Sequence, residues 1–302
     1  MENQNKENII EEDELDLIEL YKNILAGKFY IFFITLAFGI GSIAYSLSMP
    51  NLYTASSLLI AIEKSGQTPA NSKGSIGSIL SLAGGASGAG DRANLAIAII
   101  HSREFFEHLI SIEGILPKLV SSTSYDKETG DLIYNKNLFD KETGKWNLSI
   151  TEAYSEVYRK DLVVNLNTKT GFIYLSYDHI SPEFAYEFIS LIIDEVNSLA
   201  RQKDIQEAAD AMVYLEKEME DYTQVGIQAS IGQLIESQLK TKMLANVRKN
   251  YLLDPIDSPM LPDMKSKPYR TKIVIIGTLI GFVLSLLITI IMAYGFGKRD
   301  RK

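Results

Sequence analysis

Two stretches of the chain carry no charge: nineteen residues from Phe29 to Leu47 and twenty-two from Ile273 to Tyr294. A helix rises about 1.5 Å per residue, so about 20 apolar residues cross a hydrocarbon core of about 30 Å. The pattern therefore predicts membrane spans at 29–48 and 273–294. A cleaved signal peptide is the competing reading of the first, but residues 1–28 hold eight acids against three lysines where a signal needs a short basic start.

Between the two runs the periods are shorter. Residues 53–62, YTASSLLIAI, read as a strand, and the Gly, Ser and Ala-rich residues 65–90 as a mobile loop with one short helix near 76–82. Leu95, Ile99, Phe105, Phe106, Leu109 and Ile110 keep helical spacing, as do Leu15, Ile18, Tyr21, Ile24 and Leu25 ahead of the first span. A near-repeat, YDKETG at 125–130 and FDKETG at 139–144, reads as turns between short extended segments rather than calcium loops, because its oxygen-bearing residues lack the alternate spacing. WNLSI, LVVNLNT and GFIYLSY read as strands, with Lys169 to Gly171 turning the last two into a hairpin. From Ser181-Pro182-Glu183, a cap followed by proline at the first helical position, a three-four rhythm continues to Tyr222 and resumes from Ile231. This predicts a long helix over about 182–249, bent near Gly226, whose apolar face meets other helices as in a coiled coil.

Four of the eight prolines, Pro255, Pro259, Pro262 and Pro268, then fall within residues 254–270, at the entry to the second span. Each fixes φ and removes a backbone donor, so no helix runs through them, and their spacing favours a stiff extended joint. Within the spans, Gly277, Gly281 and Ser285 are four apart, as are Ala37 and Gly41, a spacing that lets helix backbones approach closely.

Charge sets the orientation. Lys22 and Lys28 precede the first span and no further cation appears until Lys64, which places residues 1–28 in the cytoplasm and 49–272 outside. The second span returns the tail, 295–302, to the cytoplasm. Lys265, Lys267, Arg270 and Lys272 on its outer side equal the tail's four cations in number, so its own bias is nearly neutral. The outer segment is net acidic and offers no basic face to nucleic acid, and the chain has no cysteine. No catalytic constellation, cofactor motif or metal-ligand set emerges. His101 and His108, one heptad apart, and the lone His179 read as structural. GASGAGD, residues 85–91, has phosphate-loop glycines, but Asp91 and Arg92 stand where lysine and a hydroxyl are needed.

Several strings together resemble the polysaccharide co-polymerase family, the Wzz-type chain-length determinants of bacterial inner membranes. They are DELDLIELYKNILAGKFYIFFIT, LYTASSLLIAIE, AIIHSREFFEHLI and SYDHISPEFAYEFISLIIDEVN. The proline stretch resembles a family pattern, Pro-x2-Pro-x4-Ser-Pro-Lys-x11-Gly, at Pro259, Pro262, Pro268 and Gly281. Lys267 stands where the pattern has serine, Tyr269 where it has lysine, and the glycine-rich continuation is absent after Gly281. The resemblance implies an α+β fold: two transmembrane helices flank a periplasmic, membrane-proximal α/β domain with a long projecting helix. It further implies a homo-oligomeric ring, with no enzymatic activity and no cofactor. The implied partners are a polysaccharide polymerase and an undecaprenyl-linked glycan, and the implied role is control of O-antigen or related glycan length. One alternative keeps this architecture as an export adaptor for a separate tyrosine autokinase or an ABC-type capsule exporter. A kinase-fused form is not expected, with eight residues after Tyr294, and a two-span sensor would need a signalling module for which neither terminus has room.

Overall fold

The computed structural model describes residues 24–62, 89–120, 122–126, 132–135, 138–140, 145–222 and 224–296. The expected helix at 13–28, for the most part, and the expected loop at 65–90 lie outside them. Along the chain run α1 (Lys28–Ser48), β1 (Tyr53–Ala61), α2 (Ala89–Ile100), α3 (Arg103–Ser111), α4 (Ile115–Val120), β2 (Ser122–Tyr125), β3 (Leu132–Tyr134), β4 (Phe139–Asp140) and β5 (Lys145–Trp146). A helical segment follows, Ile150–Glu152 continuing through wider turns at Ala153–Tyr158 to Arg159–Asp161, here called α5. Then come β6 (Leu162–Leu166), β7 (Phe172–His179), α6 (Pro182–Asp221), α7 (Val225–Val247), β8 (Leu253–Asp257) and α8 (Arg270–Phe296). The fold is α+β, with two candidate membrane helices and a long helix. The chain divides into two compact units, Asn51–Ser266 and the terminal segments Met1–Pro50 with Lys267–Lys302.

In the first unit a four-stranded antiparallel sheet has the order β6-β7-β1-β8. Its inner face follows from the period of two: Tyr53, Ala55, Ser57, Leu59 and Ala61 of β1 are buried while their neighbours are partly exposed. Against it lies the start of α6, whose Phe184, Phe188, Ile189, Ile192 and Val196 are buried at helical spacing. Ala93, Ala96 and Ile100 of α2 and Phe105, Phe106 and Leu109 of α3 close the same core. The β6–β7 turn is as expected: Gly171 takes φ +73°, and its N–H reaches the Asn167 carbonyl at 2.8 Å. Each DKETG copy lies between antiparallel strands, β2 with β3 and β4 with β5, although most residues of the two turns lie outside the described ones.

Three expectations need correction. The apolar rhythm from Leu95 to Ile110 belongs to two helices, because the chain breaks at His101. There the carbonyls of Ile100 and His101 accept the Tyr158 and Tyr154 hydroxyls, and Ser102 caps α3 by accepting the Phe105 N–H at 3.1 Å. His101 and His108 therefore share no helix. WNLSI is a strand only at Trp146, the end of β5, because Ser149 and Glu152 form a reciprocal capping box that starts α5.

The long helix about 182–249 is also two helices. Pro182–Asp221 spans 40 residues, about 60 Å, and ends at Tyr222 in extended geometry rather than bending at Gly226. After the reversal α7 returns beside α6, and Lys249 reaches the level of Arg201, whose guanidinium donates to its carbonyl. The return fits the lengths, since 23 residues of α7 rise about 35 Å. One rhythm in both halves could not reveal the reversal, which lets each stripe cover the other, burying Ala208, Ile231 and Ala245.

In the terminal unit α1 and α8 pack antiparallel. Their apolar side chains point outward: Phe29, Phe32 and Phe33 on α1 and Ile275, Ile276 and Leu279 on α8 are each about 60% exposed. A soluble core helix would bury them. Such a face is stable against hydrocarbon, so both are candidate membrane-spanning helices.

Candidate functional site

The proline joint begins as the edge strand β8. Pro255 lies opposite Leu59 where the β1–β8 register shifts, and an edge tolerates the missing donor. Beyond Asp257 the chain has no regular structure up to Ser266, as the prolines require. Pro255, Pro259, Pro262 and Pro268 are all half-buried, whereas Ile256, Met260, Leu261 and Met264 between them are exposed.

Two polar devices fix the ends of this joint. At its start, Asn197 of α6 is 3% exposed, and its Oδ1 accepts the backbone N–H groups of Tyr251, Leu252 and Leu253 at 3.1, 2.7 and 2.8 Å. Its Nδ2 donates to the Leu253 carbonyl at 2.9 Å, so one amide satisfies four main-chain groups of the turn leading into β8. Beside it, Arg92 of α2 donates to the Tyr251 carbonyl at 3.2 Å, lies 5.2 Å from the Tyr251 ring centre and pairs with Asp204 at 3.7 Å. The Tyr251 hydroxyl donates to Asp204, and burial raises the Tyr251 phenol to a very high pKa.

At its end, Ser266 returns to the start of β1: its N–H and hydroxyl both donate to the Leu52 carbonyl, at 2.9 and 3.2 Å. Its hydroxyl also meets that of Thr54, which donates to Asp178 of β7. The hydroxyl that the family pattern sets at 267 thus stands one residue earlier here.

In the terminal unit, the glycines of α8 mark the closest approach to α1. A Cβ built on Gly277 would lie 2.6 Å from Ser42 Cβ, and one on Gly281 2.4 Å from Phe38 Cβ. Thr35 and Ser285 hydroxyls meet at 3.5 Å further along. On α1 the seam differs from the expected pair, because a Cβ on Gly41 would touch nothing within 4 Å. Spacing of four shows that small residues share a face, not which face is used. The six sequence-selected residues therefore fall in two places, the prolines along the joint and Gly277 and Gly281 in the helix seam.

Sequence reasoning missed Asn197, Arg92, Asp204 and Ser266. A polar residue on the otherwise apolar face of α6 was the available signal for Asn197. Arg92 directly follows GASGAGD, the string set aside as a failed phosphate loop.

Two of the histidines have structural partners. His108 Nε2 lies 2.7 Å from Glu195 Oε2. His179 Nε2–H donates to the Lys118 carbonyl at 3.0 Å and Nδ1 accepts the Ser181 N–H at 3.1 Å, and burial lowers its pKa to about 4. Among the described residues no three His, Cys, Asp or Glu side chains gather as metal ligands.

Residues 13–112 match the family model Wzz, chain length determinant protein. This region, about a third of the chain, is similar to Wzz-type chain length determinants. The match spans the first apolar helix, β1 and both helices of the broken rhythm, in agreement with three of the four strings that carried the resemblance. No curated protein matches. Among solved structures, a full-length bacterial polysaccharide co-polymerase is similar at 12% identity over 95% of this chain and 99% of that one, with a TM-score of 0.40. A fragment of WzzB, a polysaccharide co-polymerase from Salmonella Typhimurium, is similar at 13% identity over 72% of this chain and 100% of that one, with a TM-score of 0.31.

Proposed function

We propose that this chain is a non-enzymatic regulator of surface polysaccharide length, of lipopolysaccharide O-antigen or a related glycan, acting with a Wzy-type polymerase in a bacterial inner membrane. The observation that carries the reading is the chain length determinant match over residues 13–112, with the two candidate spans supporting it. In this reading both termini are cytoplasmic, residues 49–272 form the periplasmic domain, and copies assemble side by side into a ring. The growing undecaprenyl-linked glycan or its polymerase meets the repeated surfaces of that ring.

The joint supplies the coupling. A stiff segment anchored by Asn197 at its start and by Ser266 at its end passes a displacement of the helical hairpin on to the chain entering α8, where a flexible linker would absorb it. The test is complementation of a strain lacking the gene. The wild-type chain restores a modal glycan length, and Pro262→Ala with Pro268→Ala shifts or broadens the mode at equal protein level. A double variant that reproduces the wild-type profile overturns the role given to the joint, and failure of the wild-type chain to impose any mode overturns the function.

A further inference from the structure

We propose that the end of the proline joint is a lipid-binding surface, in which Met260, Leu261 and Met264 enter the headgroup boundary of the bilayer that α8 crosses and the cations after them hold anionic phospholipid. Its starting point is the four cations of residues 265–272, which the orientation argument leaves unexplained on the outer side of the span.

Exposure comes first. Met264 is 83% exposed, Met260 71% and Leu261 48%, while the adjoining Pro259 and Pro262 are half-buried. The joint therefore lies on its body by the prolines and turns its large apolar side chains outward. Methionine is unbranched and adapts to a fluid surface.

Chain reach comes second. Ser266 is bound to Leu52, which is four residues beyond Ser48, the end of α1, and α8 begins four residues beyond Ser266. Four extended residues span at most about 15 Å. Met264 and Lys265 are thus tethered from two directions to within a short distance of the membrane boundary, whose polar layer is itself several ångströms deep.

Charge is third. Lys265, Lys267, Arg270 and Lys272 follow with no acid among residues 264–272, although the outer segment as a whole is net negative. Lys265, Lys267 and Lys272 are exposed, and the Lys272 ammonium lies 4.4 Å from the Tyr269 ring centre, an aromatic–cation pair suited to the interface. Each cation near an anionic surface adds about 1 kcal/mol of attraction, so this cluster complements phospholipid headgroups of negative charge.

The inference goes beyond glycan length control and rests on α1 and α8 crossing the bilayer. The chain has no cysteine, so single-cysteine variants of the full chain accept one environment-sensitive fluorophore each. Labels at Met264→Cys, at Val213→Cys on α6 as an aqueous control and at Ile276→Cys within α8 are compared in nanodiscs containing spin-labelled quencher lipid. One set contains phosphatidylglycerol and the other phosphatidylcholine alone. The expected result is a blue-shifted Met264 label that the lipid quenches severalfold more than the Val213 label. Quenching is stronger with phosphatidylglycerol, and the excess is lost in 0.5 M salt or when Lys265→Gln, Lys267→Gln and Lys272→Gln are combined. A Met264 label that matches the Val213 label overturns the proposal, as does one that is blue-shifted yet unquenched, which marks a protein neighbour. Quenching that ignores lipid charge overturns the anionic preference. An unquenched Ile276 label instead refutes the span on which the inference stands.

Discussion

Replacing Asn197 by alanine tests whether one buried amide holds the entry to the proline joint. The side chain makes four hydrogen bonds, three accepted and one donated, to Tyr251, Leu252 and Leu253, which are at most 5% exposed. Each such bond contributes about 1 kcal/mol net, so removing all four destabilises this turn by about 4 kcal/mol, and by about half that if water enters the space. Hydrogen exchange by mass spectrometry on the full chain in detergent measures the effect locally. Since 1.4 kcal/mol is tenfold in an equilibrium, the amides of residues 251–253 should exchange about thirtyfold to a thousandfold faster in Asn197→Ala, while those of β7 change little. Asn197→Asp keeps the three acceptor contacts but turns an oxygen toward the Leu253 carbonyl, and its exchange should fall between wild type and alanine. An acceleration below about threefold in Asn197→Ala would refute the reasoning, since it would mean that β8 pairing and apolar burial alone hold the turn.

Three further predictions address other parts of the molecule. Cysteines at Thr35 and Ser285 should crosslink on oxidation in the otherwise cysteine-free chain, and adding Gly281→Leu, whose side chain has no room beside Phe38, should abolish the crosslink. The buried His179, with a folded-state pKa of about 4 against an ordinary 6.5, leaves the unfolded chain to take up its proton first as pH falls. Its contribution is complete above about pH 6.5 and is lost as pH falls through about 4, a loss of about 3 kcal/mol. Thermal unfolding in detergent should show this as a steeper acid destabilisation of wild type than of His179→Gln, and parallel curves would contradict it. Ser266→Ala removes the hydroxyl contacts to Leu52 and Thr54 but leaves the backbone bond. The amide of Ser266 should then exchange about tenfold faster, and no change would show that the main-chain bond suffices.

Elements whose pattern is local were legible in the sequence. The two apolar helices follow from run length, β1 from its run of β-branched and apolar residues, the β6–β7 hairpin from two such runs with Gly171 at the turn, and the start of α6 from Ser181 and Pro182. What was not legible depends on partners distant in sequence. The reversal after Tyr222 leaves the helical rhythm unchanged on both sides, and the contacts of Arg201, Asn197 and Asp204 with residues 249–253, distant in sequence, are what distinguish a hairpin from a continuous rod. The break at His101 depends on tyrosine hydroxyls more than fifty residues away. Of the joint, the prolines announced stiffness, but the anchors at Asn197 and Ser266 are single polar residues whose meaning comes from where the chain returns. In the seam the glycines of α8 were legible by spacing, whereas Phe38 opposite Gly281 is a large side chain that no small-residue spacing could point to.

The length profile of the surface glycan in a strain lacking this gene tests the central claim most directly. The account predicts that a profile clustered around one preferred length in the parent gives way to a smooth decline from short to long chains, with total glycan retained. An unchanged cluster in the deletion strain would contradict it.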